Sequence, residues 1–145
     1  MLSSYQRPLF VGVPSLAVDA DTAGTPYLLL DRDERFGFLS GYRHFEFEHP
    51  APISDYEYDV VLCDPPFANL PLDDLRVALE SLAVDDESRA APLYIAYNAR
   101  REAALLEAFP GLERKSSALG YESVKSRTQQ QIILYGSTCA ASLDD

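Results

Sequence analysis

Asp64-Pro65-Pro66-Phe67 is the segment of this sequence best equipped for chemistry. Proline holds the backbone extended and has no N–H, so two in succession leave the local carbonyls pointing outward as acceptors without competing donors. Asp64 adds another acceptor and Phe67 a flat apolar wall. The cluster is suited to hold an NH2 group from two sides. It directly follows the apolar run Asp59 to Cys63, and in open α/β sheets ligands bind outside the carboxyl ends of strands, near the point where strand order reverses. Other reactive residue types form no comparable constellation. His44 and His49 have no glutamate or cysteine partner at metal spacing, so no metal is expected. Ser15 lacks the histidine context of a catalytic serine, and Cys63 and Cys139 read as free thiols rather than a disulfide framework or zinc site.

The elements that must position this cluster read as short β-type runs alternating with loops or helical stretches, the pattern of an α/β sheet with crossovers. Strands are expected at Leu9 to Val13, Tyr27 to Leu30, His44 to Glu48, Asp59 to Cys63 and Leu93 to Tyr97. Ser15 to Pro26 is too polar and too rich in Gly and Pro for more than a short helix or loop. Leu72 to Val84 is the clearest helix: Leu72, Leu75, Leu79 and Leu82 recur at helical spacing, and Asp73 and Asp74 lie where the helix dipole favours acids. Arg100 to Phe109 reads as a second helix, stopped by Pro110-Gly111. Leu119 to Val124 and Gln131 to Tyr135 have no helix between them and are expected to pair antiparallel at one edge. The expectation is a seven-stranded, mostly parallel sheet with a C-terminal antiparallel hairpin, in one domain over residues 1–136 followed by a frayed polar tail, 137–145.

A chain of 145 residues suits one domain. The 23 acidic residues against 12 basic ones leave a net charge of −11, which disfavours a general phosphate-binding surface, because each contacted phosphate is normally matched by Lys or Arg. No apolar run approaches the roughly 18 residues of a membrane span, and the start lacks a signal pattern. A soluble, cytoplasmic protein without a membrane partner is therefore expected.

Asp64-Pro65-Pro66-Phe67 resembles the acidic form of the Asp/Asn-Pro-Pro-Tyr/Phe motif of S-adenosylmethionine-dependent amine methyltransferases. Together with Leu28-Leu29-Leu30-Asp31-Arg32-Asp33-Glu34-Arg35-Phe36 upstream, the chain is similar to the family first described as probable N6-adenine methyltransferases, over roughly Leu9 to Gly136. That family also includes elongation-factor lysine methyltransferases and a zinc-finger ribosomal RNA adenine methyltransferase. The resemblance implies a Rossmann-like methyltransferase sheet with S-adenosylmethionine across the ends of the first, second and fourth strands. It implies that Asp31 or Asp33, with Asp33 preferred, accepts hydrogen bonds from the ribose hydroxyls, and that Glu48 meets the adenine amino group. Gly12, Pro14 and Ser15 would form the cofactor loop. Most methyltransferases carry more glycines there, although members of this family also use a Pro-Ser type turn. Relatives carry an N-terminal helical segment over the cofactor, whereas residues 1–8 alone precede the first expected strand, leaving room for a partner protein on that side.

The implied reaction is in-line attack of an amine on the sulfonium methyl, with Asp64 and the Pro65 carbonyl accepting the amine N–H bonds, Pro66 shaping the turn and Phe67 packing on the substrate. A macromolecular substrate is expected. A lysine must first lose a proton, at about 4.6 kcal/mol at pH 7, and an adenine amine need not. Against this, an acidic chain with no Lys/Arg stripe beside the motif attracts a basic polypeptide and repels a phosphate backbone, so a protein lysine is favoured over nucleic acid. Alternatives are an N6-adenine methyltransferase on RNA or DNA, and an inactive methyltransferase-like scaffold or subunit of a larger complex.

Overall fold

Strand β4 (Val60–Cys63) is buried at all four positions, which is why it reads as an unbroken apolar run between polar turns. In the computed structural model, which describes residues 5–66, 69–115 and 132–137, β4 lies at the centre of a seven-stranded sheet. The other strands are β1 (Pro8–Val11), β2 (Leu28–Asp31), β3 (Tyr42–His44), β5 (Leu93–Asn98), β6 (Leu112–Arg114) and β7 (Ile132–Ser137). Their order is β3-β2-β1-β4-β5-β7-β6. Neighbours from β3 to β5 are parallel, and β7 is antiparallel to both β5 and β6. This is the α/β, Rossmann-like, mostly parallel architecture expected from the sequence.

Side-chain alternation along each strand divides the apolar runs between two cores. Leu9, Val11, Val61, Cys63, Ile95 and Tyr135 face the layer of α2 (Leu72–Glu80), a short α3 (Asp86–Arg89) and α4 (Glu102–Ala108), with Leu75, Leu82 and Leu105 packed between. Phe10, Leu29, Leu62, Tyr94 and Leu134 face the opposite layer, where α1 (Pro14–Ala23) buries Ala17. Among the described residues no helix is long and apolar enough to cross a membrane.

Several expected elements are corrected. The stretch Ser15 to Pro26, expected to be no more than a short helix or loop, contributes to a ten-residue helix, α1, that starts at Pro14 and ends at Ala23. Pro14 at its start is pre-set for helical φ, and Gly24, in the left-handed conformation, returns its N–H to the carbonyls of Ala20 and Asp21. Its contact with the sheet uses small residues, so no strong apolar period marks it. The third strand is Tyr42–His44 rather than His44 to Glu48. After Phe45 donates its N–H to the Asp31 carbonyl, the chain turns, and the His49 N–H closes on the Glu46 carbonyl. The clearest helix stops at Glu80, where the Ser81 hydroxyl donates to the Val77 carbonyl, yet Leu82 remains buried beyond it. Arg100 to Phe109 opens as a 3-10 turn, Ala99–Arg101, before α4. Leu119 to Val124 lies outside the described residues. The described edge partner of β7 is β6, whose three residues bury only Leu112 and so leave almost no pattern to read.

The α2 face makes a direct stability comparison. Leu75 is 1% exposed and Val77 on the same helix is 51% exposed. Leu75→Ala is expected to lower the unfolding free energy by about 2–5 kcal/mol through cavity formation, and Val77→Ala by less than about 0.5 kcal/mol, both measured by urea titration.

Candidate active site

The order β2-β1-β4 brings three carboxyl ends side by side, with the direction of strand succession reversing between β1 and β4. Immediately after β1, Gly12 turns with φ of +71° and donates its N–H to the Leu30 carbonyl at 2.8 Å. Across from it, the Asp64 N–H donates to the Val11 carbonyl at 3.0 Å. A Cβ built on Gly12 would stand 2.9 Å from the Asp64 carbonyl oxygen, so only glycine combines this close approach with this φ.

These three ends form one wall of a cleft of about 280 Å³. Asp64, Gly12, Asp31 and Leu30 come from the strand ends, Phe45 to Glu48 from the turn after β3, and Pro66, Asn69 and Leu70 from the loop entering α2. Arg32 completes the lining and is its one cation among the described residues. The Phe45 and Phe47 rings meet edge to face at 5.2 Å and make the apolar side. A larger cavity of about 470 Å³ lies around Val61 and Leu93, at the opposite ends of β4 and β5. It holds none of the acceptor cluster, so size and chemistry point to different places, and the chemistry lies in the smaller cleft.

Asp64 is part-buried on this cleft, and no described residue hydrogen-bonds or ion-pairs with its carboxylate. Burial pushes its carboxyl up from the usual range to about 6. Burial, and then the Asp64 charge, push the adjoining Cys63 thiol well up, which keeps it protonated and unreactive. Pro65 is buried and Pro66 exposed on the cleft, whereas Phe67 lies outside the described residues, as does Cys139.

The two candidate ribose acids separate. The Asp31 Oδ1 accepts the Asp33 N–H at 2.8 Å, and Asp31 lines the cleft. Asp33 does not line it. Its carboxylate caps the 3-10 turn Glu34–Phe38 by accepting the Arg35 N–H, and pairs with the Arg35 guanidinium at 2.7 Å. The Arg35 hydrogen bonds pull the Asp33 carboxyl down to about 2. Glu48 lines the cleft from a turn rather than a strand, beside Glu46, which also contacts His44 at 3.3 Å. Pro14 and Ser15 form the first turn of α1 and are not in the lining, although that turn has no side-chain cap. Among the described residues no group of three His, Cys, Asp or Glu is placed to hold a metal.

Arg32, Glu46 and Asn69 are lining residues that sequence reasoning did not single out. Arg32 sits between the two aspartates that drew attention, and Glu46 stands in the same alternating run as Glu48. Asn69 carried no signal in the sequence and is marked only by its left-handed backbone, φ +68°.

The strand order and the position of the cleft define a protein with the fold of S-adenosylmethionine-dependent methyltransferases. By fold it is similar to a protein of Thermoplasma acidophilum, at 15% identity over 90% of this chain and 73% of that one, with a TM-score of 0.59. It is likewise similar to the N-methyltransferase NodS of Bradyrhizobium japonicum, at 13% identity over 94% and 88% with a TM-score of 0.56. A TehB-like S-adenosylmethionine-dependent methyltransferase of Corynebacterium glutamicum gives 12%, 92%, 79% and 0.55. No curated protein matches by sequence. Residues 3–135 match the family described as "Probable N6-adenine methyltransferase", and the chain belongs to that family. S-adenosylmethionine is the cofactor this membership carries. The residues present fit it: among the described residues the second Asp31 carboxylate oxygen has no partner, the Phe45 and Phe47 rings form an aromatic wall, and the Gly12 turn lines the same cleft.

The raised Asp64 carboxyl has a defined effect on stability. Its native value, about 6, lies above the reference of 3.8, so between those values the native state binds more protons than the unfolded chain. The stabilisation is complete below pH of about 4 and is lost as pH rises through about 6. Asp64→Asn is therefore expected to be more stable than the parent at pH 8, by at most about 3 kcal/mol, relative to their difference at pH 4, as read from urea unfolding at both pH values.

Proposed function

We propose that this protein is an S-adenosylmethionine-dependent N-methyltransferase whose acceptor is a protein amine, the side chain of a lysine in a basic segment. The observation that carries this reading is Asp64, a part-buried carboxylate with no described partner, set at the tip of β4 against the Gly12 turn. When bound, S-adenosylmethionine supplies a methyl group activated by a positively charged sulfur.

The chain's own residues then divide the work. Asp31, rather than Asp33, accepts the ribose hydroxyls, because Arg35 occupies the Asp33 carboxylate. Phe45 and Phe47 give the adenine an apolar face, with Glu46 and Glu48 as acceptors for its amino group. Asp64 and the Pro65 carbonyl accept the two N–H bonds of the acceptor amine and leave its lone pair free. Phe67 is the apolar wall on the motif's sequence alone. Each hydrogen bond to a charged acceptor contributes about 1.5–3 kcal/mol, enough to orient the amine. A lysine must shed its proton first. The Asp64 charge opposes that step, and exclusion of water by the aromatic wall and prolines favours it.

Charge supports a polypeptide acceptor. The cleft presents Asp31, Glu46, Glu48 and Asp64 against Arg32 alone, on a chain of net charge −11. A polycation is drawn to such a surface and a phosphate backbone is repelled. The family description favours the second reading, an adenine amine, which needs no deprotonation.

Calorimetric titration with S-adenosylmethionine is expected to show binding, which Asp31→Ala weakens about 10-fold or more and Asp33→Ala leaves within about three-fold, since an exposed ion pair is worth little. Absent or millimolar binding by the parent chain leaves only the scaffold reading. Labelled methyl is expected in the protein fraction of a cell extract rather than the RNA fraction. Asp64→Ala is expected to abolish that transfer while keeping cofactor affinity; full activity in this variant would remove Asp64 from its role.

A further inference from the structure

Asn69 lines the cleft and has no part in the cofactor reading. Among the described residues it is the only non-glycine with a left-handed backbone, φ +68°. Asparagine tolerates this region, commonly because its short side chain bonds locally. Here no described hydrogen bond engages the carboxamide. Nor does it cap the adjoining helix: α2 begins after Pro71 and has no side-chain cap. The residue is exposed and lines the cleft with Asp64, Pro66 and Leu70.

Every other polar residue of the described lining is charged. A carboxylate only accepts, whereas a carboxamide both donates and accepts. An amine held by Asp64 and the Pro65 carbonyl is fixed at its nitrogen and free to swing about it. Aiming the lone pair requires a second attachment on the acceptor molecule. A cation at position 69 would repel a cationic acceptor segment, and a further carboxylate would compete for the amine. A neutral group with a donor and an acceptor avoids both.

Building on the methyltransferase reading, we propose that Asn69 is a positioning residue for the acceptor polypeptide, its carboxamide hydrogen-bonding a peptide unit beside the target lysine. The C=O and N–H of a peptide match the carboxamide's donor and acceptor. Asn69 lies in the left-handed turn between the motif and α2, on the lining of the cleft.

Initial rates of methyl transfer from S-adenosylmethionine to poly-L-lysine, with oligoadenylate as a second acceptor, test this alongside cofactor calorimetry. Asn69→Gly keeps the left-handed backbone and deletes the carboxamide, whereas Asn69→Ala deletes it and strains the turn. Asn69→Gly is expected to raise KM for poly-L-lysine about 5- to 10-fold, the worth of one net hydrogen bond, with kcat and cofactor Kd within about two-fold. A purely structural role predicts the reverse, an impaired Ala variant and an unaffected Gly variant, and overturns the proposal. So does a Gly variant that loses cofactor affinity in parallel, or one whose KM changes only for oligoadenylate. If the parent chain binds no cofactor, the methyltransferase reading falls and this inference with it; a parent that binds cofactor yet leaves poly-L-lysine unmethylated overturns the polypeptide role of Asn69 alone. A Gly variant matching an active parent removes the Asn69 role alone.

Discussion

Two backbone segments that approach too closely for a side chain to stand between them set the geometry of the site. The turn at Gly12 lies against the Asp64 carbonyl, and the Asp64 N–H is tied to β1 through Val11. Asp64 is thereby anchored through its main chain while its carboxylate has no partner among the described residues. A side chain held by its own hydrogen bonds would be rigid and unavailable, whereas one placed by its backbone is both fixed and free to take a ligand.

That freedom carries a thermodynamic penalty. A part-buried carboxylate with no described partner is less stable ionised than it would be in water, which is the meaning of a value near 6. The sheet tolerates it because stability is supplied elsewhere, by β4 and β5 strands whose side chains fill both cores. Surface charges contribute little by comparison: Arg35 with Asp33 at the 3-10 turn, Arg43 of β3 with Asp55 and Arg76 with Glu80 along α2 are largely exposed pairs. Asp64 thus carries its burial penalty on the lining of the cleft, the pattern of a site that trades stability for function.

The two ends of the sheet are unequal for the same reason. At the carboxyl ends, the carboxylates and the Gly12 turn converge on a modest cleft. At the opposite ends of β4 and β5 the larger cavity is chiefly apolar, lined by Val61, Leu79, Ala83, Leu93 and Phe109. Polar groups converge at the carboxyl ends because parallel strands there release the chain into loops that all turn over one edge.

Much of this was legible from residue order alone. A carboxylate before two prolines after a buried strand is a local statement, since proline removes donors and sets the backbone whatever surrounds it. The strands β1, β2, β4 and β5 were legible because burial on both faces demands continuous apolar runs. Helix α1 and strand β6 were not, because small residues pack closely without a strong period and a three-residue edge strand buries a single side chain. Tertiary structure alone decided that Asp31 faces the cleft while Arg35 occupies Asp33, that Glu46 and Arg32 stand beside them, and that Asn69 adopts a left-handed turn. These outcomes depend on which distant segments meet. Local patterns encode backbone restriction and burial, whereas the facing of a surface side chain is settled by partners brought from elsewhere in the chain.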